Sequence, residues 1–325
     1  MSGAPHSVLA IRAAVRGALA ECSPGDLVLV ALSGGADSTA LAFATGLEAS
    51  ALGLRAGAII VDHGLLPDSA EVARTAAGRA PGLGLDPVEI ITVEVRETGA
   101  GMEAAAREAR YRALDEAADR LGATLILLGH TRDDQAEQVL LGLARGSGLR
   151  SLSGMPRARG RYRRPLLDIE RGETRIVCEA ENLPWWDDPM NADPAFARVR
   201  ARAALVDLER DLGPGVVAAL ARTASQLRAD ADLLDELADD ATAHLGGSPW
   251  RIEQLLAHPL PLRTRVWRRL LIAAGAPAGQ VSTRHTDACD RLLTDWRGQG
   301  PLHMPGDLRV ARAAGSVHLG PPASG

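Results

Sequence analysis

The sequence predicts an α/β protein: a doubly wound parallel sheet followed by a second, smaller, mainly helical domain. Three observations carry that prediction. Short, almost continuously apolar runs alternate with helical patterns through the first part of the chain, as expected when helices cover both faces of a parallel sheet. After Leu212-Gly213-Pro214-Gly215 the strand-like runs give way to helical periodicity. At 325 residues the chain also exceeds the roughly 250 at which single cores stop growing, so two domains are expected, at 1–212 and 216–325.

The strands are read at Leu27–Leu32, Ala58–Val61, Val88–Val95 and Thr124–Leu128. Between and after them, apolar residues spaced by three and four predict helices at Ser38–Leu52, Ser69–Arg79, Met102–Leu121 and Asp134–Ala144. In the second part the same spacing predicts helices at Val216–Leu245, Ile252–His258 and Pro261–Ala274. The tail from Gly300 is expected to hold short strands and then fray beyond Pro321. The N-terminus, with Arg12 and Arg16 in an alanine-rich helical pattern, shows no apolar core of a signal peptide, and about 18 consecutive apolar residues occur nowhere. A soluble, unprocessed chain with no membrane partner is expected.

Composition excludes several function classes. The 36 basic and 41 acidic residues leave a net charge of −5, which argues against nonspecific coating of nucleic acid, so any polyanion contact must be local. All the cations are arginine; the absence of lysine removes a Walker-type phosphate lysine, a Schiff base and a lysine base. Cys22, Cys178 and Cys289 lie far apart without a C-x-x-C pair, so neither a disulfide framework nor a cysteine zinc site is indicated, and a reducing cytoplasm fits.

The chemistry gathers at strand ends. Ser33-Gly34-Gly35-Ala36-Asp37-Ser38 follows the first strand and opens a long helix, so consecutive backbone N–H groups form an anion nest suited to phosphate, with Asp37 placed to hold Mg²⁺. A plain glycine-rich turn capped by Ser38 is the alternative. Asp62, His63 and Gly64 end the second strand, beside a nucleotide if the sheet has its switch point there, or form a mere turn. Arg107 shares a helical face with Arg110 and Tyr111; the pair either grips phosphate or forms a solvated face bridged by Glu103 and Glu108. After the fourth strand, Thr131 and Asp134 read as a helix cap, while His130, Asp133 and Glu137 offer groups for a phosphate or transferred oxygen and for a cationic amine or metal. From Arg145 to Arg175, nine arginines stand against three acids in a basic loop region.

The S-G-G-x-D-S run resembles the signature of the PP-loop ATP pyrophosphatase family. That resemblance implies ATP bound at Ser33–Ser38, chemistry at the α-phosphate and release of pyrophosphate. The segment from Gly129 to Pro156, with Arg164-Pro165-Leu166-Leu167 and Asp188-Pro189-Met190-Asn191, is similar to one branch of that family, the tRNA(Ile)-lysidine synthases. The similarity covers most of residues 25–205, and the helices from about 216 resemble that branch's small substrate-binding domain.

The branch implies adenylation of the wobble cytidine of tRNA(Ile) with a CAU anticodon, then displacement of AMP by the ε-amine of free L-lysine. Asp37, Arg110 and His130 would be catalytic, with Asp37 also the Mg²⁺ ligand. Ser33 to Ser38, Asp62 and His63 would bind ATP; Asp133, Asp134 and Glu137 would hold lysine; Arg107 would bind substrate; Arg145, Arg150, Arg157, Arg159, Arg161, Arg163 and Arg164 would meet tRNA. Two segments depart from the branch's pattern: Phe196-Ala197-Arg198-Val199-Arg200-Ala201-Arg202 lacks the usual asparagine, and Leu65-Leu66-Pro67 lacks a usual basic residue. Competing readings are tRNA thiolation, for which a cysteine pair is missing, a small-molecule amide synthetase, for which the basic loop is superfluous, and a non-catalytic ATP- or tRNA-binding module. Whether the chain forms a homodimer stays open.

Overall fold

The computed structural model describes residues 3–64, 67–95, 102–146 and 148–321. Leu65 and Leu66, where a basic residue is usual, and the tail beyond Pro321 lie outside the described residues. Two compact units are present, Met1–Leu227 and Arg228–Gly325.

The first unit runs α1 (Gly3–Ala18), β1 (Leu27–Ala31), α2 (Ala36–Ala51), β2 (Arg55–Asp62), α3 (Ser69–Arg79), β3 (Val88–Thr92), α4 (Met102–Leu121), β4 (Ala123–Leu127), α5 (Arg132–Ala144), α6 (Leu149–Leu152), β5 (Ala158–Arg159), β6 (Tyr162–Arg163), α7 (Arg171–Ala180) and α8 (Ala197–Leu212). Its sheet has the order β3-β2-β1-β4-β6-β5, parallel except for the β5–β6 hairpin. β1 pairs β2 on one side, with Ala31 opposite Ile59, and β4 on the other, with Val30 opposite Leu127. The chain reverses its direction of winding across β1, so the carboxyl ends of β1 and β4 flank the switch point where an open α/β sheet leaves a crevice.

Both faces of β1 are buried, which explains its unbroken Leu-Val-Leu-Val-Ala run. Val28 and Val30 join a core that includes Ile11 and Val15 of α1, Ala40 and Leu41 of α2 and Val177 of α7. Leu27 and Leu29 join a second core with Leu114, Ala117 and Ala118 of α4. β2 starts at Arg55 rather than Ala58, because Ala56 and Gly57 pair with β1 although neither has much strand propensity. β3 ends at Thr92, three residues before the expected limit.

The second unit contains the later part of α9 (Val216–Leu245), then β7 (Trp250–Arg251), α10 (Ile252–Leu256), α11 (Leu260–Ala273), α12 (Thr283–Thr294), β8 (Leu302–Met304), β9 (Leu308–Ala313) and β10 (Ser316–Gly320). Beside the expected helices stands an antiparallel sheet of order β7-β10-β9-β8, and a core of its own includes Val266, Trp267, Leu271, Cys289, Val310 and Val317. The division between units falls inside α9 and not at the glycine-proline link before it, since a continuous helix carries no break that a sequence pattern would register. Among the described residues no helix is long and apolar enough to cross a membrane.

One packing constraint ties α2 to its neighbours. Gly46 lies buried in the middle of α2, where glycine costs helix stability, and a Cβ there would sit 1.8 Å from the carbonyl oxygen of Leu83. Gly46→Ala is therefore expected to destabilise the fold by about 1–3 kcal/mol through overpacking. Gly172→Ala, at an exposed site in α7 with no atom within 4 Å of its Cβ, is expected to stay within about 0.5 kcal/mol. Urea midpoints of the two variants check the contrast.

Candidate active site

The turn from β1 into α2 is built to present backbone. Gly34 has φ +84°, a conformation that side chains with a Cβ rarely adopt, and Gly35 supplies the extended N-cap of α2. Ser38 closes the turn: its Oγ accepts from the Ser33 N–H at 3.1 Å, donates to the Gly35 carbonyl at 3.0 Å and shares a hydrogen bond with Ser33 Oγ at 3.0 Å. From outside the loop, the Trp186 N–H donates to the Gly34 carbonyl at 2.9 Å, and Cys178 Sγ reaches the Ala36 carbonyl at 3.5 Å. A Cβ at Gly129 would lie 3.2 Å from the backbone of Asp37 and Ser38, so the chain leaving β4 rests directly on the first turn of α2.

Two adjoining cavities open on this loop. The first, of about 340 Å³, has apolar walls from Ile59, Ile60, Val72, Ala73 and Met190, with Asp62, His63 and Arg110 at its polar end. The second, of about 470 Å³, is lined by Ala36, Asp37 and Ser38, by His130 and Asp134, by Arg171, Arg175 and Arg202, and by Asp187. Ser33, Gly35, Arg110, Trp186, Asp188 and Asn191 belong to both.

The cations at the shared wall differ in state from those deeper in. Among the described residues no carboxylate lies in ion-pair range of Arg110, and its burial lowers its pKa. Two imidazoles sit near it. Burial first and Arg110 second hold His63 below its ordinary value, and its Nδ1 is buried without a partner. Burial, reinforced by Arg110, Arg164 and Arg107 against the attraction of Asp134, takes His130 down to about 3, and its Nδ1 is likewise unpartnered. Both rings are therefore neutral at pH 7, beside a guanidinium with no counter-charge.

On the far side of the second cavity the acids are paired. Asp37, raised by its burial, accepts from Thr174 Oγ1 at 2.5 Å and lies 3.6 Å from Arg171 Nε. Asp134 completes the capping box of α5 with Thr131 and accepts from Arg171 Nη2 at 2.7 Å; burial opposes its ionisation, but Arg171 and the hydrogen bonds from Thr131 outweigh this and keep its pKa low. Asp133 accepts the Arg171 backbone N–H at 2.8 Å. Glu137, 1% exposed, accepts from Arg171 Nη1 at 3.2 Å and from Arg202 Nε at 2.8 Å, while its Oε2 has no partner.

The structure thus brings together Ser33 to Ser38, Asp62, His63, Arg110, His130 and Asp134, with Asp133 and Glu137 directly behind. It places three expected residues elsewhere. Arg164 is 4% exposed, donates to the Pro156 carbonyl at 2.9 Å and to Tyr111 Oη at 3.1 Å, and so pins a loop to α4; it offers no surface charge. Arg107 is exposed and stacks 5.1 Å over the Tyr111 ring, outside both cavities. Arg145 is exposed at the end of α5, also outside them. Much of the basic run is internally matched: Arg157 with Asp168, Arg161 with Asp119 at 2.6 Å, Arg163 with Glu21 at 2.5 Å and Arg175 with Asp187 at 2.9 Å.

Sequence reasoning missed Arg171, Thr174, Trp186, Asp188 and Arg202 as members of the site. Asp188, in the Asp-Pro-Met-Asn run, Arg202, in the arginine-spaced run, and Arg171, in the basic loop, stood in segments with a visible pattern.

Comparison with known proteins is consistent along the chain. Residues 11–209 match the family model of the PP-loop domain, and residues 251–318 match that of the TilS substrate binding domain. The tRNA(Ile)-lysidine synthase of Thermobifida fusca is 53% identical over 98% of both chains, and that of Streptomyces coelicolor is 54% identical over 90% of this chain and 84% of its own. Among solved structures, the U34-tRNA thiolase NcsA from Methanococcus maripaludis superposes with a TM-score of 0.57 over 69% of this chain and 80% of its own; at 18% identity this is a likeness of fold. Matched in its PP-loop domain and along nearly its whole length by relatives of that name, the chain belongs to the tRNA(Ile)-lysidine synthase family.

Proposed function

We propose that the chain ligates free lysine to C2 of the wobble cytidine of tRNA(Ile) with a CAU anticodon, at the expense of ATP. The cytidine O2 attacks the α-phosphorus and pyrophosphate leaves; the lysine ε-amine then attacks C2 and AMP leaves, giving lysidine. The observation that carries this reading is the shared wall of the two cavities. A loop that presents backbone N–H groups and Arg110, without an ion-pair partner among the described residues, would suit an anion there, one step from a carboxylate cluster suited to an amine. Three reactants need such a meeting point.

In this reading the apolar cavity takes the adenosine, with Asp62 and His63 at its polar end, and Ser33, Gly34, Gly35, Ala36 and Ser38 take the phosphates. Asp37 fits one carboxylate of a Mg²⁺ shell, since this ion usually takes one or two carboxylates with phosphate oxygens and water. Bound there, Mg²⁺ would neutralise phosphate charge. Arg110 holds charge at the α-phosphate as the P–O bonds exchange. Neutral His130 has one N–H to donate and one lone pair to offer, which suits it to the oxygen transferred from base to AMP. Asp133, Asp134 and Glu137 supply the negative field that draws the lysine ammonium. Arg107 and Arg145, both exposed, are the cations of this set that remain to meet tRNA phosphate, together with the second unit.

Transfer of ¹⁴C-lysine into purified tRNA tests the reading. Label is expected in tRNA(Ile) with the CAU anticodon and not in tRNA(Met) with the same anticodon; pyrophosphate release without lysine transfer would leave only an adenylating enzyme.

Arg110→Met is expected to lower kcat/KM for pyrophosphate release by about 10²–10³, the cost of removing one donor from a developing oxyanion. A loss below fivefold would take Arg110 out of the chemistry.

His130 also makes stability depend on pH. In the unfolded chain it protonates near 6.5, but in the folded chain only near pH 3, so acidification below about 6.5 favours unfolding until the lower value is passed. The slope is at most about 1.4 kcal/mol per pH unit. His130→Asn is expected to remove one proton from the pH dependence of the urea midpoint between pH 4 and 6. Equal slopes in both proteins would contradict a histidine held neutral.

A further inference from the structure

The carboxylates assigned above to the lysine ammonium already hold a cation. Arg171, the first residue of α7, reaches two of them with its guanidinium, and the Asp37 carboxylate besides: Nη2 bonds Asp134 Oδ1 at 2.7 Å, Nη1 bonds Glu137 Oε1 at 3.2 Å, and Nε lies 3.6 Å from Asp37 Oδ2. The side chain is 20% exposed and lines the second cavity, so it stands between the acids and the space a substrate would enter.

Several features distinguish it from a simple structural pin. A cation in the first turn of a helix opposes the macrodipole, so α7 itself gains nothing from it. Its backbone is anchored independently of its charge, the N–H being held by Asp133 at 2.8 Å. The side chain can therefore leave the cluster while its Cα stays in place. Glu137 would not be stranded by that departure, because Arg202 continues to donate to it at 2.8 Å. Glu137 Oε2, buried and without a partner, shows acceptor capacity beyond what the two guanidiniums use. Finally, an ammonium has three N–H donors, and Arg171 already occupies one oxygen each of Asp134 and Glu137, two of the three carboxylates assigned to that ammonium.

We propose that Arg171 is a resident stand-in for the ε-ammonium of the amine substrate. It neutralises the cluster in the empty enzyme and swings into the cavity when lysine arrives, so that its competition sets the affinity for the amine. This rests on the lysine-ligating reading given above. Arg171 acts here as a positioning and specificity residue, since it shapes the amine site without contacting the reacting atoms.

The test is steady-state lysine transfer to tRNA(Ile) by Arg171→Met. Removing the internal competitor is expected to lower the apparent KM for lysine at least threefold, whatever happens to kcat; loss of a merely structural residue would raise KM or leave it unchanged. Methylguanidinium at millimolar concentration is expected to compete with lysine in Arg171→Met and not in the wild-type chain, because only the variant has the cluster open. Arg171→Lys, which keeps a cation on a flexible stem, is expected to fall between the two. An unchanged or raised KM in Arg171→Met without competition by methylguanidinium overturns this proposal alone. Absence of lysine transfer by the wild-type chain overturns it together with the parent reading.

A measurement on the wild-type chain serves if Arg171→Met does not fold. Lysine added with a non-hydrolysable ATP analogue is expected to move the ¹⁵N-arginine Nε–H signal of Arg171, assigned by its loss in Arg171→Lys, toward that of exposed arginine. A signal that stays in place overturns the proposal.

Discussion

The first unit depends on how it manages like charges brought together by helix geometry. Asp37 stands in the first turn of α2, Asp133 and Asp134 in the first turn of α5, and Glu137 one turn further on. Each acid is favourable for its own helix, since carboxylates complement a helix N-terminus. Gathered at one end of a sheet, however, they repel, by about 4 kcal/mol per pair at 4 Å in a partly buried setting. Arg171 and Arg202 resolve the conflict by holding two and one of their donors, respectively, against the acids. Glu137 has both arginines, but Asp134 has Arg171 alone, so an empty site without that guanidinium leaves Asp134 short of a counter-charge, the expensive state for an ion pair. The opposite wall differs: among the described residues Arg110, beside two neutral imidazoles, has no ion-pair partner. Separation of unmatched positive from pre-matched negative charge gives the site its polarity.

Position follows from sheet topology. The order β3-β2-β1-β4 puts the ends of β1 and β4 at the crevice, and the loop that leaves β1 is then fixed from three sides. Ser38 ties it from within, Trp186 holds the Gly34 carbonyl from above, and the bare Gly129 lets the end of β4 rest against α2. Such a loop has little freedom left to lose when phosphate arrives, and preorganised N–H groups stabilise charge better than groups that must first reorient. Trp186 also reaches both cavities, so one segment fixes the nest and walls the amine side.

These features were unevenly legible. The β1–α2 loop and Thr131–Asp134 could be read because each depends on contacts within a few residues, and β1 to β4 because they stand as apolar runs between helical patterns; β5 and β6, of two residues each, could not. The ends of β2 and β3 could not, because pairing with β1 and with β2, respectively, decides them. The small sheet of the second unit is built from runs of two to six residues, too short for a period to emerge, and only its tail strands were anticipated. The basic loop shows the limit most clearly. Counting arginines finds charge but not its partners: Arg163 meets Glu21 142 residues away, and Arg164 turns inward to Tyr111. Arg171 was counted with that same run, yet its role depends on α2, α5 and α7 converging.

The absence of lysine from the chain acquires a chemical meaning beside this site. An adenylated cytosine is open to any unprotonated amine, and apart from the N-terminus this chain carries none. A guanidinium can match the charge of an ammonium in the carboxylate cluster, yet it stays protonated at any physiological pH and so does not act as a nucleophile. Arginine at position 171 thus keeps the acids neutralised without bringing a reactive group near the activated base. A lysine there would satisfy the same acids but could lose its proton and attack. The residue that occupies the amine's place is for that reason chemically silent, and the nucleophile has to come from outside.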